Sequence, residues 1–243
     1  MQVESFGDSH PSVAITLSNM GLIHYQNQSY SKSFALYQHA LRIRRDVLGE
    51  EHVDVASSLN SIGLVLFKLG LHEMAMQSFL ESWRIKKSLL GNSHRDVGII
   101  LYNVATIHLE RGDDDEAMKC YKETLRVEKA SLGPDHYDII VTLQYTAQVH
   151  SHRGELKEAL ECYKETLRIQ RLHLSLNDPK IAHTLNHMAN IYLEQGNAAA
   201  AVGSMAQATR IMKHAGGSGE EIRLTGFQKY AFSVLFPENA AVA

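Results

Sequence analysis

Neither sign of charge dominates this chain: 24 lysines and arginines stand against 27 aspartates and glutamates, a net charge of −3 over 243 residues. Such a balance implies no strong field for nucleic acid or an anionic membrane, although a local stripe of charge is still available. Long apolar runs are missing as well. No stretch reaches the roughly 18 residues that a membrane-spanning helix needs, and MQVESFGDSH has neither the basic start nor the apolar centre of a secretion signal. Cysteine is scarce. Cys120 and Cys162 fall at the same point of two neighbouring repeats, where equivalent helices lie roughly 8 to 10 Å apart. A disulfide needs Cα atoms within about 7 Å, so the pair is expected to stay reduced and the protein to be cytoplasmic. Glycine-rich phosphate loops, nucleophile elbows, CxxC and HExxH are all absent, which removes the commonest catalytic signatures.

What the chain does have is a repeat. A pattern recurs five times at a spacing of 42 residues without an insertion. Gly7, Gly49, Gly91 and Gly133 are in step, followed by His10, His52, His94 and His136, then by Leu17, Leu59, Leu101, Leu143 and Leu185. The fifth copy has Ser175 and Asp178 in place of the glycine and histidine. A period in this range signals a solenoid, in which each unit buries its apolar face only by stacking on a neighbour. The units expected are about 7–48, 49–90, 91–132, 133–174 and 175–215, an array over 1–215 forming one domain.

Each unit reads as two helices. Val13, Leu17, Met20 and Ile23 recur at helical spacing over 11–26, giving a helix A, and Phe34, Tyr37, Leu41 and Ile43 give a longer helix B over 30–48. Ser9, Glu51, Ser93, Asp135 and Asn177 stand at the expected starts of helix A, four of them good N-cap types, with Asp54, Asp96 and Asp138 three residues on to complement the helix dipole. The turn within each unit carries Gly70, Gly112, Gly154 and Gly196, as a left-handed helix end requires. Gln28 replaces that glycine in the first unit, which predicts that its turn is the least regular. Small residues recur in helix A (Gly21, Gly63, Ala105, Ala147, Ala189) and in helix B (Ser33, Ala75, Ala117, Ala159, Ala201). They allow close packing, with Tyr37, Phe79, Tyr121 and Tyr163 filling the space beside them and Met205 in the fifth unit. After the loop AGGSGEE, residues 216–243 are expected to form a capping helix over 222–236 and a disordered tail. FGDSHP, at 6–11, reads as the end of a preceding junction, so the chain is expected to be a piece of something longer.

These residues carry a resemblance. Met188, Ala189 and Tyr192 in helix A, with Ala159, Tyr163 and Thr166 in helix B, resemble the tetratricopeptide repeat, whose unit is usually about 34 residues. The longer period and the junction GEEHVDVASSLNSIG, at 49–63, are similar to the repeats of kinesin light chains. The likeness implies an all-α, right-handed superhelical solenoid of five helix pairs with a C-terminal capping helix. No heptad segment of the kind that docks light chains on a motor occurs in these 243 residues, so motor attachment is not implied.

The resemblance also places a ligand groove on the concave face lined by helix A. Its positions here are Ser18, Asn19, Leu22 and Tyr25 in the first unit and Asn60, Leu64, Phe67 and Lys68 in the second. Tyr102, Asn103 and Thr106 follow in the third unit, and Gln144, Tyr145, Gln148 and His152 in the fourth. The fifth offers His183, Asn186, His187 and Asn190. Amides donate and accept at once, which suits the backbone of a bound peptide, and the aromatic residues suit its apolar side chains. With Lys68 the one cation among these positions, the ligand is expected not to be strongly acidic.

Two other patterns have structural explanations. A ladder of Arg42, Arg84, Arg126, Arg168 and Arg210 would suit a phosphate-rich partner, but Glu81, Glu123 and Glu165 precede three of its members at the spacing of intrahelical ion pairs. Among the 14 histidines, His183 and His187 alone have i, i+4 spacing, and no third zinc ligand accompanies them, so no metal or other cofactor is expected. The expected function is therefore a non-catalytic adaptor or scaffold that binds a peptide or helix of a partner protein, with neither nucleic acid nor membrane as partner. The alternative is a regulatory or oligomerising segment of a larger signalling protein, self-associating through open repeat ends.

Overall fold

The computed structural model describes residues 10–215, and among these every regular element is an α-helix. The helices are α1 Pro11–Gln26, α2 Tyr30–Leu48, α3 Val53–Lys68, α4 His72–Leu90 and α5 Arg95–Arg111. They continue with α6 Asp114–Leu132, α7 Ile139–His152, α8 Leu156–His173, α9 Pro179–Glu194 and α10 Ala198–His214. Odd-numbered helices are helix A of a pair and even-numbered ones helix B. The chain divides into two compact units, Met1–Pro134 and Asp135–Ala243. α1 to α6 lie in the first and α7 to α10 in the second. The capping helix expected over 222–236 and the tail lie outside the described residues.

Packing follows the helical period. In α3, Val55, Ala56, Leu59, Ile62, Val65 and Leu66 are buried along one broad face. They join Tyr37, Leu41, Ala75, Phe79 and Ile85 in the core of the first unit. The second unit repeats the arrangement with Leu160, Tyr163, Leu167, Ile181, Leu185 and Met188. The small residues seat the aromatics as expected. A Cβ placed on Gly63 would lie 2.6 Å from Phe79 Cε1, and one on Gly21 would lie 3.0 Å from Tyr37 Cε1. Full burial of Phe79 contributes roughly 2 to 3 kcal/mol, and the missing methyl at Gly63 makes that burial possible.

The helix A starts differ from the sequence expectation. The N-caps are His10, His52 and His94, not Ser9, Glu51 and Ser93, and the fifth cap is Asp178, not Asn177. Each imidazole Nδ1 accepts from the backbone N–H two residues on, from Ser12 at 3.2 Å, Asp54 at 3.1 Å and Asp96 at 3.2 Å. Asp178 Oδ1 accepts from Lys180 N–H at 2.8 Å. In the fourth unit α7 starts late, after Asp138 and not after Asp135, although His136 Nδ1 still accepts from Asp138 N–H at 3.2 Å. The physical reason is that an imidazole lone pair reaches an orphan amide as a short oxygen side chain does. Histidine and Asp178 therefore answer one requirement in different copies.

The first turn is also more regular than expected. Gln28 takes φ 57°, beside 75° at Gly70 and 77° at Gly112. The bonds Gln28 N–H to Tyr25 O and Ser29 N–H to His24 O match Gly70 to Phe67 and Leu71 to Leu66. Glutamine accepts the left-handed conformation because the same helix-ending bonds hold it there.

Ion pairs absorb most of the basic ladder. Arg126 and Arg168 bond Glu123 and Glu165 on their own helices, at 2.8 Å in each case. Glu81 departs from the expected pairing: it accepts from Arg45 of the preceding unit at 2.8 Å, while Arg84 bonds both carboxylate oxygens of Glu51, at 2.6 and 3.1 Å. Stacking of neighbouring helix pairs brings Arg45 as near to Glu81 as an intrahelical partner would be. A buried Lys86 adds a further tie between α4 and α5, its Nζ 2.7 Å from Asp96 Oδ2.

Candidate functional site

Burial of one helix A face leaves another turned outward, and the residues expected to line a groove vary from exposed to half-buried. In the first unit, Asn19, Leu22 and Lys68 are exposed, whereas Tyr25, Asn60, Leu64, Phe67, Tyr102 and Asn103 are half-buried. Asn103 Nδ2 on α5 donates to Asn60 Oδ1 on α3 at 3.1 Å. That bond fixes both amides yet uses only part of their capacity, since Asn60 retains its amino donors and Asn103 its carbonyl. Beside them the Tyr102 ring stands edge-on to Tyr121 at 5.9 Å. Thr106 turns inward: its hydroxyl donates to Tyr102 O at 3.0 Å and accepts from Tyr121 OH at 3.2 Å. Ser18 likewise has its hydroxyl buried.

At the turn edge of this unit, aromatic pairs close the outward face. Tyr25 meets Tyr30 at 5.7 Å, and Phe67 meets His72 at 5.4 Å. Burial, then the nearness of Tyr30, holds the Tyr25 hydroxyl above its usual pKa. Lys68 Nζ lies 5.7 Å from the centre of the Phe67 ring, and His72 Nδ1 lies 3.6 Å from Glu110 Oε2. Tyr30 and His72 open helix B and were missed by the sequence reading. Their signal was present: each is an aromatic ring five residues after an aromatic of helix A.

The second unit presents Gln144, Tyr145, Gln148 and His152 on α7, of which Gln148 and His152 are exposed. On α9 His183 and His187 are exposed and Asn186 and Asn190 half-buried. One face of the His187 ring lies parallel on Tyr163 at 5.3 Å. Desolvation on that side, then the neighbouring His183, lowers the His187 pKa, and burial pushes the Tyr163 hydroxyl up to about 12. Among the described residues no group of three or more His, Cys, Asp or Glu side chains is placed to hold a metal ion. Nor is any described helix long and apolar enough to cross a membrane.

Two depressions among the described residues carry no reactive constellation. One, of about 430 Å³, lies between α2 and α4, floored by Phe34, Leu41, Leu59, Ile62 and Met74, with Arg45 on its rim tied to Glu50 and Glu81. Another, of about 810 Å³, runs from Glu155 and Leu160 to Tyr192 and Asn197. Neither joins a nucleophile to an activating base among its lining residues.

Stacked helix pairs, side-chain ties between neighbouring pairs and an outward face of amides and aromatics define a helical-repeat interaction scaffold. The chain belongs to the tetratricopeptide repeat family, whose profiles match residues 4–88 and 96–172, and again 181–215. Proteins built of this repeat are generally non-catalytic and serve protein–protein interaction. No curated protein matches the sequence significantly. Solved structures share the fold. A putative kinesin light chain from Podosopora anserina with nearly identical TPR-like repeats is 18% identical, with a TM-score of 0.75 over 86% of this chain and 99% of that one. BtubC (BKLC) from P. vanneervenii is also 18% identical, with a TM-score of 0.76 over 89% of this chain and 86% of its own. YrrB, described as a TPR protein with an unusual peptide-binding site, is 15% identical, with a TM-score of 0.57 over 87% of this chain and 91% of its own.

Proposed function

We propose that this chain is a non-catalytic adaptor or scaffold that binds a peptide or helix of a partner protein against its helix A faces, in the cytoplasm. The observation that carries the reading is the Asn60–Asn103 amide pair, held at 3.1 Å beside Tyr102. Fixed amides with spare donors and acceptors suit a partner's backbone, and the neighbouring aromatics suit its apolar side chains. Gln144, Tyr145, Asn186 and Asn190 repeat the chemistry on the second unit. The peptide-binding site ascribed to YrrB lends the reading further support. Lys68 beside Phe67, with Glu110 near His72, gives the turn edge mixed charge, which favours a ligand that is not strongly acidic. Cys120 and Cys162 are not joined in a disulfide, which accords with a reducing compartment.

The test is affinity capture with the chain and with a Tyr102→Ala, Asn103→Ala, Tyr145→Ala variant matched for helicity by circular dichroism. Partners lost by the variant, and bound again as synthetic peptides by the parent chain, establish the helix A faces as the receptor. Retention of every partner by the variant sinks the reading. The oligomerising alternative would act through an open end of the repeat array.

A further inference from the structure

Neighbouring helix A faces of the first unit carry one apolar groove residue each, at a fixed spacing. Leu64 on α3 and Thr106 on α5 stand one period apart. α3 and α5 touch, with Cα atoms within 8 Å, and the Asn60–Asn103 bond ties their outward sides at 3.1 Å. Equivalent positions on the two helices therefore recur at roughly 8 to 10 Å. Both residues are half-buried, and Thr106, whose hydroxyl is used on Tyr102 O and Tyr121 OH, has only its methyl left to offer. The same register holds Gln148 and Asn190 in the second unit, so the apolar row belongs to the first.

A bound segment matches this row only if its own same-side residues recur at the same distance. An extended strand returns to one face about every 6.6 Å, too short for one rung and, doubled, too long. Polyproline II has three residues per turn and a rise of about 3.1 Å, so every third residue returns to the same side after about 9.3 Å. An α-helix comes near with seven residues in about 10.5 Å, but it satisfies its own backbone and leaves the fixed amides without a use. Polyproline II makes no internal hydrogen bonds, and its carbonyls are open to the amino donors that Asn60 retains. Half-buried rings at Phe67 and Tyr102 supply the aromatic lining on which proline-rich segments dock. On the footing that the helix A faces are the peptide receptor, we propose that the ligand of the first unit is a proline-rich segment of a partner protein in the polyproline II conformation. One apolar residue in every three stands over Leu64 and then over Thr106, and carbonyls of the segment accept from Asn60.

The probe is a fluorescein-labelled (Pro-Pro-Leu)4 peptide titrated with the full chain and read by fluorescence anisotropy, beside a peptide of the same composition whose leucines are adjacent. Saturable binding of the triplet peptide is expected. Affinity should fall about tenfold or more for the leucine-block peptide and for the Leu64→Ala and Tyr102→Ala chains, and stay within about twofold for Leu64→Met, which keeps the row apolar at similar volume. Circular dichroism checks each variant, and Tyr102→Ala reads the same groove where Leu64→Ala loses helicity. No binding, equal binding of the two peptides, or a triplet affinity that neither alanine variant lowers overturns the proposal. Captured partners that the Tyr102→Ala, Asn103→Ala, Tyr145→Ala variant loses, but whose binding segments lack a proline-rich triplet period, leave the receptor reading standing and overturn the polyproline II ligand. Retention of every captured partner by that variant sinks both.

Discussion

His52 Nδ1 accepts a hydrogen bond from the backbone N–H of Asp54 at 3.1 Å, and that bond makes the repeated histidine a helix cap. The bond serves one of the orphan amides at the start of α3. Removing it by His52→Ala is expected to cost about 1 kcal/mol of stability. His52→Asp, which copies Asp178 of the fifth unit, is expected to hold stability within about half of that loss, since a carboxylate serves the same amide and favours the positive end of the helix dipole. Urea midpoints of the three chains decide the matter. Equal losses in both variants would remove the capping role.

Gln28 holds a left-handed conformation at φ 57°, where the other units have glycine. A residue with a Cβ pays roughly 1 to 2 kcal/mol there, of which glycine recovers part against its larger unfolded-state entropy. Gln28→Gly is therefore expected to stabilise the chain by about 0.5 to 1 kcal/mol, and Gly70→Ala to destabilise it by a similar amount. Thermal melting measures both, and an unstable Gln28→Gly variant would show that the glutamine side chain has a role of its own.

Gly63→Ala tests the close approach of α3 and α4. Its methyl would stand 2.6 Å from Phe79 Cε1. Overpacking costs about 1 to 3 kcal/mol, more than the roughly 1 kcal/mol that alanine adds to helix propensity. Net destabilisation is expected, and it should be less than additive with Phe79→Leu, which withdraws the ring. Additive losses would mean that the ring and the glycine act separately.

His187 supplies a pH dependence. Desolvation of the ring face that lies on Tyr163, then the neighbouring His183, holds its pKa below the ordinary 6.5. The unfolded chain then binds the proton at a higher pH than the folded one, so stability is complete above the unfolded value and falls as pH drops through the folded value. His187→Phe keeps a ring on Tyr163 and abolishes the titration. Between pH 8 and 5 its urea midpoint should decline less than that of the parent chain, and parallel declines would rule the effect out.

The period, the helix spans and the turn glycines were legible from residue types alone. Helical periodicity and the demand of a left-handed turn are local, and five copies repeat the signal. The pairing of Gly63 with Phe79 was legible for a similar reason, because a small residue recurs opposite an aromatic in copy after copy. Cap identity was not. Ser9 and Ser93 are favoured types, and only the backbone path shows that the helix begins one residue later, leaving histidine to supply the lone pair.

The sequence by itself determined that this protein is a stack of helix pairs and which face of each helix is apolar, because those properties depend on the order of residues along one helix. Tertiary structure decided the rest. It gave Glu81 to Arg45 and not to Arg84, joined Asn60 to Asn103, and laid His187 on Tyr163. Each of those outcomes is a choice among partners of similar chemistry within reach of one another. Such choices differ by about 1 kcal/mol or less, and distances between units, not residue types, settle them.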